Sequence, residues 1–213
     1  MSMPMRNLFL AGFLLSFCAA CMGALTTATP PVYFELSYAP PVEAPCAQGK
    51  YGSLRVWPFS AAAPYDREEM IILGPSRKVR FSPHYRWITP PGAMIADKLT
   101  RDLAAGASFL QVVGAGPMDT DLQMSGHVNE FAWEDRGGEG QRAFLDVQVS
   151  VWKEKPKRQV LLQKQYQLAG DRSASASSEQ FAEAMSLLVA QLSKQLQEDL
   201  CTTAPGSSSR PFE

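Results

Sequence analysis

The most regular pattern in the chain is an alternation from Ala143 to Trp152. Leu145, Val147, Val149 and Val151 share one face there, and Asp146, Gln148 and Ser150 share the other. A period of two marks a half-buried β-strand. Val160–Leu168 repeats it with Val160, Leu162, Tyr166 and Leu168, and the polar run Lys153–Arg158 lies between. Two alternating runs joined by a polar turn are expected to pair antiparallel. Upstream, Asp121–Trp133 alternates at Leu122, Met124, Gly126 and Val128, then slips by one to Phe131 and Trp133. One extra residue in a period-two pattern is the signature of a β-bulge. Shorter apolar runs at Val32–Ser37, Ser53–Phe59, Glu69–Leu73, Lys78–Pro83 and Phe109–Val113 read as further strands. Gly74-Pro75-Ser76 makes a hairpin of the third and fourth of these runs.

The period changes to that of a helix twice. Ile95, Leu99 and Leu103 recur every four residues after Thr89-Pro90-Pro91, with Gly106 as the stop and Thr89 as the expected N-cap. Phe181, Met185, Leu188, Leu192 and Leu196 form a stripe opposite Gln191, Lys194, Gln195 and Glu198, with Ser177 or Ser178 as the cap. Strands, helix, strands, helix: the order predicts an α+β fold, a mostly antiparallel sheet with two main helices packed on one face.

The N-terminus breaks this pattern. Arg6 precedes an apolar stretch from Leu8 to Ala20, 13 residues long. That suits a signal-peptide core of about 7–15 residues better than a bilayer span of about 20. An uncleaved anchor running on to Leu25 is the alternative. Cys18-Ala19-Ala20-Cys21 at the end of the stretch resembles the bacterial lipobox, in which a lipid-modified cysteine becomes the mature N-terminus. Cys18 stands where that pattern usually has Leu. The same four residues also read as C-x-x-C, a redox signature that belongs to a βαβ setting absent here. Under the lipobox reading Cys21 carries the anchor, and its two or three acyl chains exceed the single chain that gives only marginal attachment. Met22 in the next position favours the outer membrane, because Asp there retains similar lipoproteins in the inner one. The expected organisation is a signal peptide over 1–20, a tether over 21–31, one domain over 32–201 and a loose tail over 202–213.

Charge and chemistry narrow the function. The 213 residues carry 20 basic and 21 acidic side chains, so nothing resembles a nucleic-acid footprint. With His84 and His127 as the only histidines, neither a metal nor any other cofactor is expected. Neither histidine has evident catalytic partners, and a hydrolase would need a serine or an acid pair near one of them. Gly114-Ala115-Gly116 lacks the third glycine of a dinucleotide loop, since position 119 is Asp119, and reads as a connection between strands. Asp119 and Asp121 could share a cation or be solvated loop acids. Lys153, Lys155, Lys157 and Arg158 form the one concentrated basic patch, suited to lipid headgroups or an acidic partner, or to a solvated hairpin tip. Cys46 and Cys201 remain after processing. In an exported domain they are expected to form a disulfide across a long loop, two unpaired thiols being the other reading.

Several stretches together resemble one family. They are YFEL at Tyr33–Leu36, LRVWPF, RWITPPGAMIADKLTRDLAAGASFLQVV, DLQMSGHVNEF, FLDVQVSVW with VLLQKQYQL, and the closing amphipathic helix. In this order they resemble the ABC-type transport auxiliary lipoproteins, which include the paraquat-inducible C-type lipoproteins. The resemblance spans nearly all of 32–201. Trp87 followed by Pro90-Pro91 and a helix is its most specific part; Ile88-Thr89 and the region 60–80 depart from it. It implies an accessory subunit, not an enzyme, anchored in the outer membrane and facing the periplasm. Such a subunit docks on the MCE-domain protein of an ABC-type intermembrane lipid transport system, and a ring-shaped partner would favour a homo-oligomer. A stand-alone outer-membrane assembly or lipid-binding lipoprotein is the alternative.

Overall fold

Strand Leu122–Asp135 is the axis on which the sheet is built. In a computed structural model, residues 29–41, 51–106, 108–135, 140–173 and 177–203 are described. Their elements, in chain order, are β1 (Val32–Phe34), β2 (Tyr51–Val56), β3 (Ser60–Ala61), β4 (Glu69–Leu73), β5 (Val79–Trp87), α1 (Pro91–Ala105), β6 (Phe109–Val113), β7 (Leu122–Asp135), β8 (Gln141–Lys153), β9 (Gln159–Ala169) and α2 (Ser178–Thr202). From Pro31 onward they belong to one compact unit.

Along one edge of β7, three short strands follow one another in parallel. Leu54 pairs with Leu122, Ser60 with His127, and Ile72 with Trp133. Strand β8 runs antiparallel along the other edge, and β9 continues the sheet beyond it. Outside β2 lies β6, parallel; outside β4 lies β5, antiparallel, and then β1, parallel to β5. The α+β class is as the patterns indicate and most of the paired residues run antiparallel, but the sheet is mixed rather than purely antiparallel. Its antiparallel part is the set of hairpins, which local sequence reveals. The parallel pairings join strands that are distant in sequence, so no turn between the partners announces them.

The slip in the β7 pattern is a bulge: Val128 pairs with Val147 and Glu130 with Asp146, leaving Asn129 between them. Strand β5 runs past Pro83 to Trp87, beyond the expected end. Pro83 is tolerated because it falls where the pairing to β4 shifts register, between Phe81 and Arg86, so no ladder donor is needed there. At the start of α1 the N-cap is Pro90, not Thr89, and no side chain caps the helix. Pro91 at the first helical position supplies the fixed φ instead, and its missing N–H is one the helix could not pair anyway. Helix α2 opens on a capping box: Ser177 Oγ accepts from Gln180 N at 3.3 Å, and Ser177 N donates to Gln180 Oε1 at 2.9 Å.

The alternating apolar faces and the two helical stripes meet in one core. Leu145, Val147, Val149 and Val151 of β8 are fully buried, as are Ile95 and Leu99 of α1 and Met185, Leu192 and Leu196 of α2. An aromatic cluster joins α2 to the sheet. Phe181 lies edge-on to Trp87 at 5.5 Å and to Trp133 at 5.0 Å, and Trp87 lies edge-on to Phe131 at 5.2 Å. Residues 36–38 strap the two helices together. Leu36 is fully buried, Ser37 N donates to Ser186 Oγ at 3.0 Å, and Tyr38 Oη donates to buried Asp102 at 2.8 Å.

Candidate functional site

Residues from three strands converge where the β8–β9 turn leaves the sheet. In register, Arg55 of β2 pairs with Gln123 of β7, Gln123 with Trp152 of β8, and Trp152 with Val160 of β9. Trp57, two residues beyond Arg55, donates its indole N–H to Gln123 Oε1 at 2.8 Å, and the Arg55 guanidinium lies 5.2 Å from the centre of the Trp57 ring. These side chains line an open groove of about 580 Å³ with Ser53, Asp119, Asp121 and Lys153–Lys155. Cations and carboxylates alternate around it, so the groove is polar with two indole walls.

Most of the charged groups are already engaged. Asp121 accepts from Ser53 N and Ser53 Oγ, both at 2.8 Å, and these bonds, chiefly the one from the backbone, hold its carboxyl below the usual carboxylate range. Lys155 pairs with Asp119 at 3.5 Å, both side chains being well exposed. Trp152 donates its indole N–H to Glu154 at 2.7 Å. Arg158 stacks over Trp152 with its guanidinium 4.6 Å from the ring centre. Of the four basic residues, Lys153 and Lys155 therefore reach the groove, Arg158 braces one of its walls, and Lys157 is exposed on the turn outside the lining.

The other candidates fall elsewhere. Asp119 and Asp121 are held by Lys155 and Ser53, and among the described residues no three His, Cys, Asp or Glu side chains come together as a metal site. His127 shares a 2.8 Å hydrogen bond with the exposed Ser60 hydroxyl, while His84 is exposed on β5. Gly114-Ala115-Gly116 is a connection between β6 and β7. Cys201 lies in the last turn of α2, whose end is held by Tyr51: its hydroxyl donates to Leu200 O at 2.8 Å and Thr203 O at 2.9 Å. Cys18, Cys21, Cys46, the signal segment, most of the tether and positions 204–213 of the tail lie outside the described residues. Among the described residues no helix is long and apolar enough to cross a membrane. Arg55, Trp57 and Trp152 lie in stretches that carry the family resemblance, LRVWPF and FLDVQVSVW, but nothing in those stretches marks them as site residues. The one signal that could have marked them is polar or aromatic occupancy of outward positions in adjoining strands.

Buried and half-buried tyrosines mark where the domain is drawn together. Burial, then the bond to Asp102, pushes the Tyr38 hydroxyl upward; burial and Asp199 do the same for Tyr166. Tyr65 is pushed up to about 12, by burial and then by the nearby Glu130 carboxylate.

A curled mixed sheet backed by two helices is shared with solved structures of low sequence identity. A Xanthomonas campestris protein of the DUF330 family superposes with a TM-score of 0.70 at 17% identity, over 81% of this chain and 95% of that one. An uncharacterised protein superposes with a TM-score of 0.63 at 10% identity, over 81% and 99% respectively. No curated protein matches the chain. The family model of the ABC-type transport auxiliary lipoprotein component matches residues 34–197, and the chain belongs to that family. It is a family of transport auxiliary lipoproteins, not of enzymes.

Proposed function

We propose that the chain is an outer-membrane-anchored periplasmic lipoprotein that serves an MCE-type ABC lipid transport system by docking on its MCE-domain protein. The observation that carries this is the family match over 34–197, which covers the sheet from the last residue of β1 onward, all of α1 and most of α2. The lipobox-like Cys18-Ala19-Ala20-Cys21 supports anchoring at Cys21, and Met22 supports sorting to the outer membrane. Self-association around a ring-shaped partner belongs to the same proposal.

A Cys46–Cys201 disulfide is part of this reading. Tyr51 is bonded to the end of α2 beside Cys201, and Cys46 precedes Tyr51 by five residues. Five residues span at most about 17 Å, a reach compatible with a bond between the two cysteines.

The test is affinity purification of the full chain from its native membranes after mild crosslinking. The proposal expects an MCE-domain protein in the eluate, lost when Trp87→Ala unfolds the domain. Removing that ring from the Phe131–Phe181 cluster costs about 3–5 kcal/mol. Recovery of the chain with no MCE-domain protein would contradict docking and leave the stand-alone lipoprotein.

A further inference from the structure

Arg55 is the one described arginine whose shielded nitrogens go unpaired with no carboxylate in a salt bridge. Its Nε and Nη2 are buried without an acceptor. Arg86 and Arg101 also carry a shielded unpaired nitrogen, but Arg86 reaches Glu69 at 3.5 Å and Arg101 reaches Asp102 at 2.7 Å. A guanidinium with two nitrogens shielded from water and no carboxylate partner lacks charge compensation, and an anionic oxygen reaching the side of the group that faces the groove is bound more strongly than in bulk solvent. Asp121 does not serve: its carboxylate is taken by Ser53, and the cation acting on it is Lys153.

We infer that the groove between Trp57 and Trp152 is a binding site for a phosphate ester, with Arg55 as its anchor. Lys153, whose charge also acts on Asp121, makes no salt bridge among the described residues and lines the same groove, so a second cation can face the ligand. Two cations on separate strands suit the spread oxygens of a phosphate better than the planar fork of a carboxylate. The indole faces of Trp57 and Trp152 cover the carbon part of the ester, and the volume of about 580 Å³ admits more than a bare ion. Asp119, Asp121 and Glu154 equal the three lining cations in number and disfavour a polyanion such as nucleic acid. The site stands whether or not the chain docks on an MCE-domain protein.

The experiment follows the indole N–H signals of the full chain, in non-ionic detergent with the soluble probes and detergent-free with the nanodiscs. The probes are sn-glycerol 3-phosphate, inorganic phosphate, and nanodiscs of phosphatidylcholine with or without phosphatidylglycerol. The Trp57 and Trp152 signals should shift on binding, while Trp87 and Trp133, buried in the core, stay fixed. Arg55→Gln should weaken binding at least about tenfold and Arg55→Lys less, since a lysine keeps the charge but not the fork. Arg80→Gln, which removes a cation paired with Asp135, should leave binding unchanged. Shifts with glycerol phosphate identify a soluble ester as the ligand, and shifts with nanodiscs alone identify a lipid headgroup. Either supports the site. Unmoved Trp57 and Trp152 signals with every probe would overturn it, as would equal weakening by Arg55→Gln and Arg80→Gln.

Discussion

Asp102 and Asp121 are both carboxylates at the ends of long-range contacts, but their surroundings assign them different work. Asp102 is fully buried and takes hydrogen bonds from Tyr38 Oη and Arg101 Nε, each at 2.8 Å, so it fastens the strap over α1. Asp121 is exposed and fastens the rim of the groove through Ser53. Its folded pKa lies below the unfolded value of about 3.9. A depressed carboxylate stabilises the fold above the unfolded value and loses that contribution as pH falls through the folded one. Asp121→Asn should therefore be less stable than the natural chain at pH 7, by no more than about 1 kcal/mol because solvent screens the exposed charge. Urea denaturation from pH 7 downward should show the gap closing below about pH 4. A gap that stays constant with pH would show that the carboxylate's charge has no part in it.

Among the elements, β7 bears most of the architecture, because three parallel strands and one antiparallel strand all register on it. Phe59, between β2 and β3, is the wedge that seats α1 on this axis. A methyl group at Gly126 would run into the Phe59 ring, and one at Gly92 would run into the Phe59 carbonyl oxygen. Gly126→Ala should cost about 1–3 kcal/mol by overpacking. Combined with Phe59→Ala, it should cost markedly less than the two single changes added, since the ring it meets is gone. Additive denaturation energies would place the strain elsewhere. The same elements show what a sequence can disclose. The β8–β9 hairpin, the bulge after Val128, and the stripes of both helices were legible because each is written in neighbouring residues. The run of β2, β3 and β4 along β7 was not, since it depends on a chain that returns through a helix. The groove was hidden for the same reason. Lys153 and Lys155 announced themselves as a basic run, whereas Arg55, Gln123 and Trp152 come from three strands and meet only after the sheet has formed.

At the scale of the molecule, a family of transport auxiliary lipoproteins and a domain built as one layered sheet and helix pair agree with the proposed accessory subunit. On the proposed anchor at Cys21, ten residues separate the lipid from Val32, the start of β1. Fully extended they reach about 33–36 Å, enough to hold the domain clear of the headgroups yet close to the bilayer. The proposal that the chain works as a tethered accessory domain stands or falls on that N-terminus. The most direct measurement is the intact mass of the non-reduced protein extracted from membranes. The account predicts a chain beginning at Cys21, heavier than its sequence by a lipid modification and lighter by the two hydrogens lost when Cys46 joins Cys201. A mass that still includes Met1, with no lipid on Cys21, would contradict it.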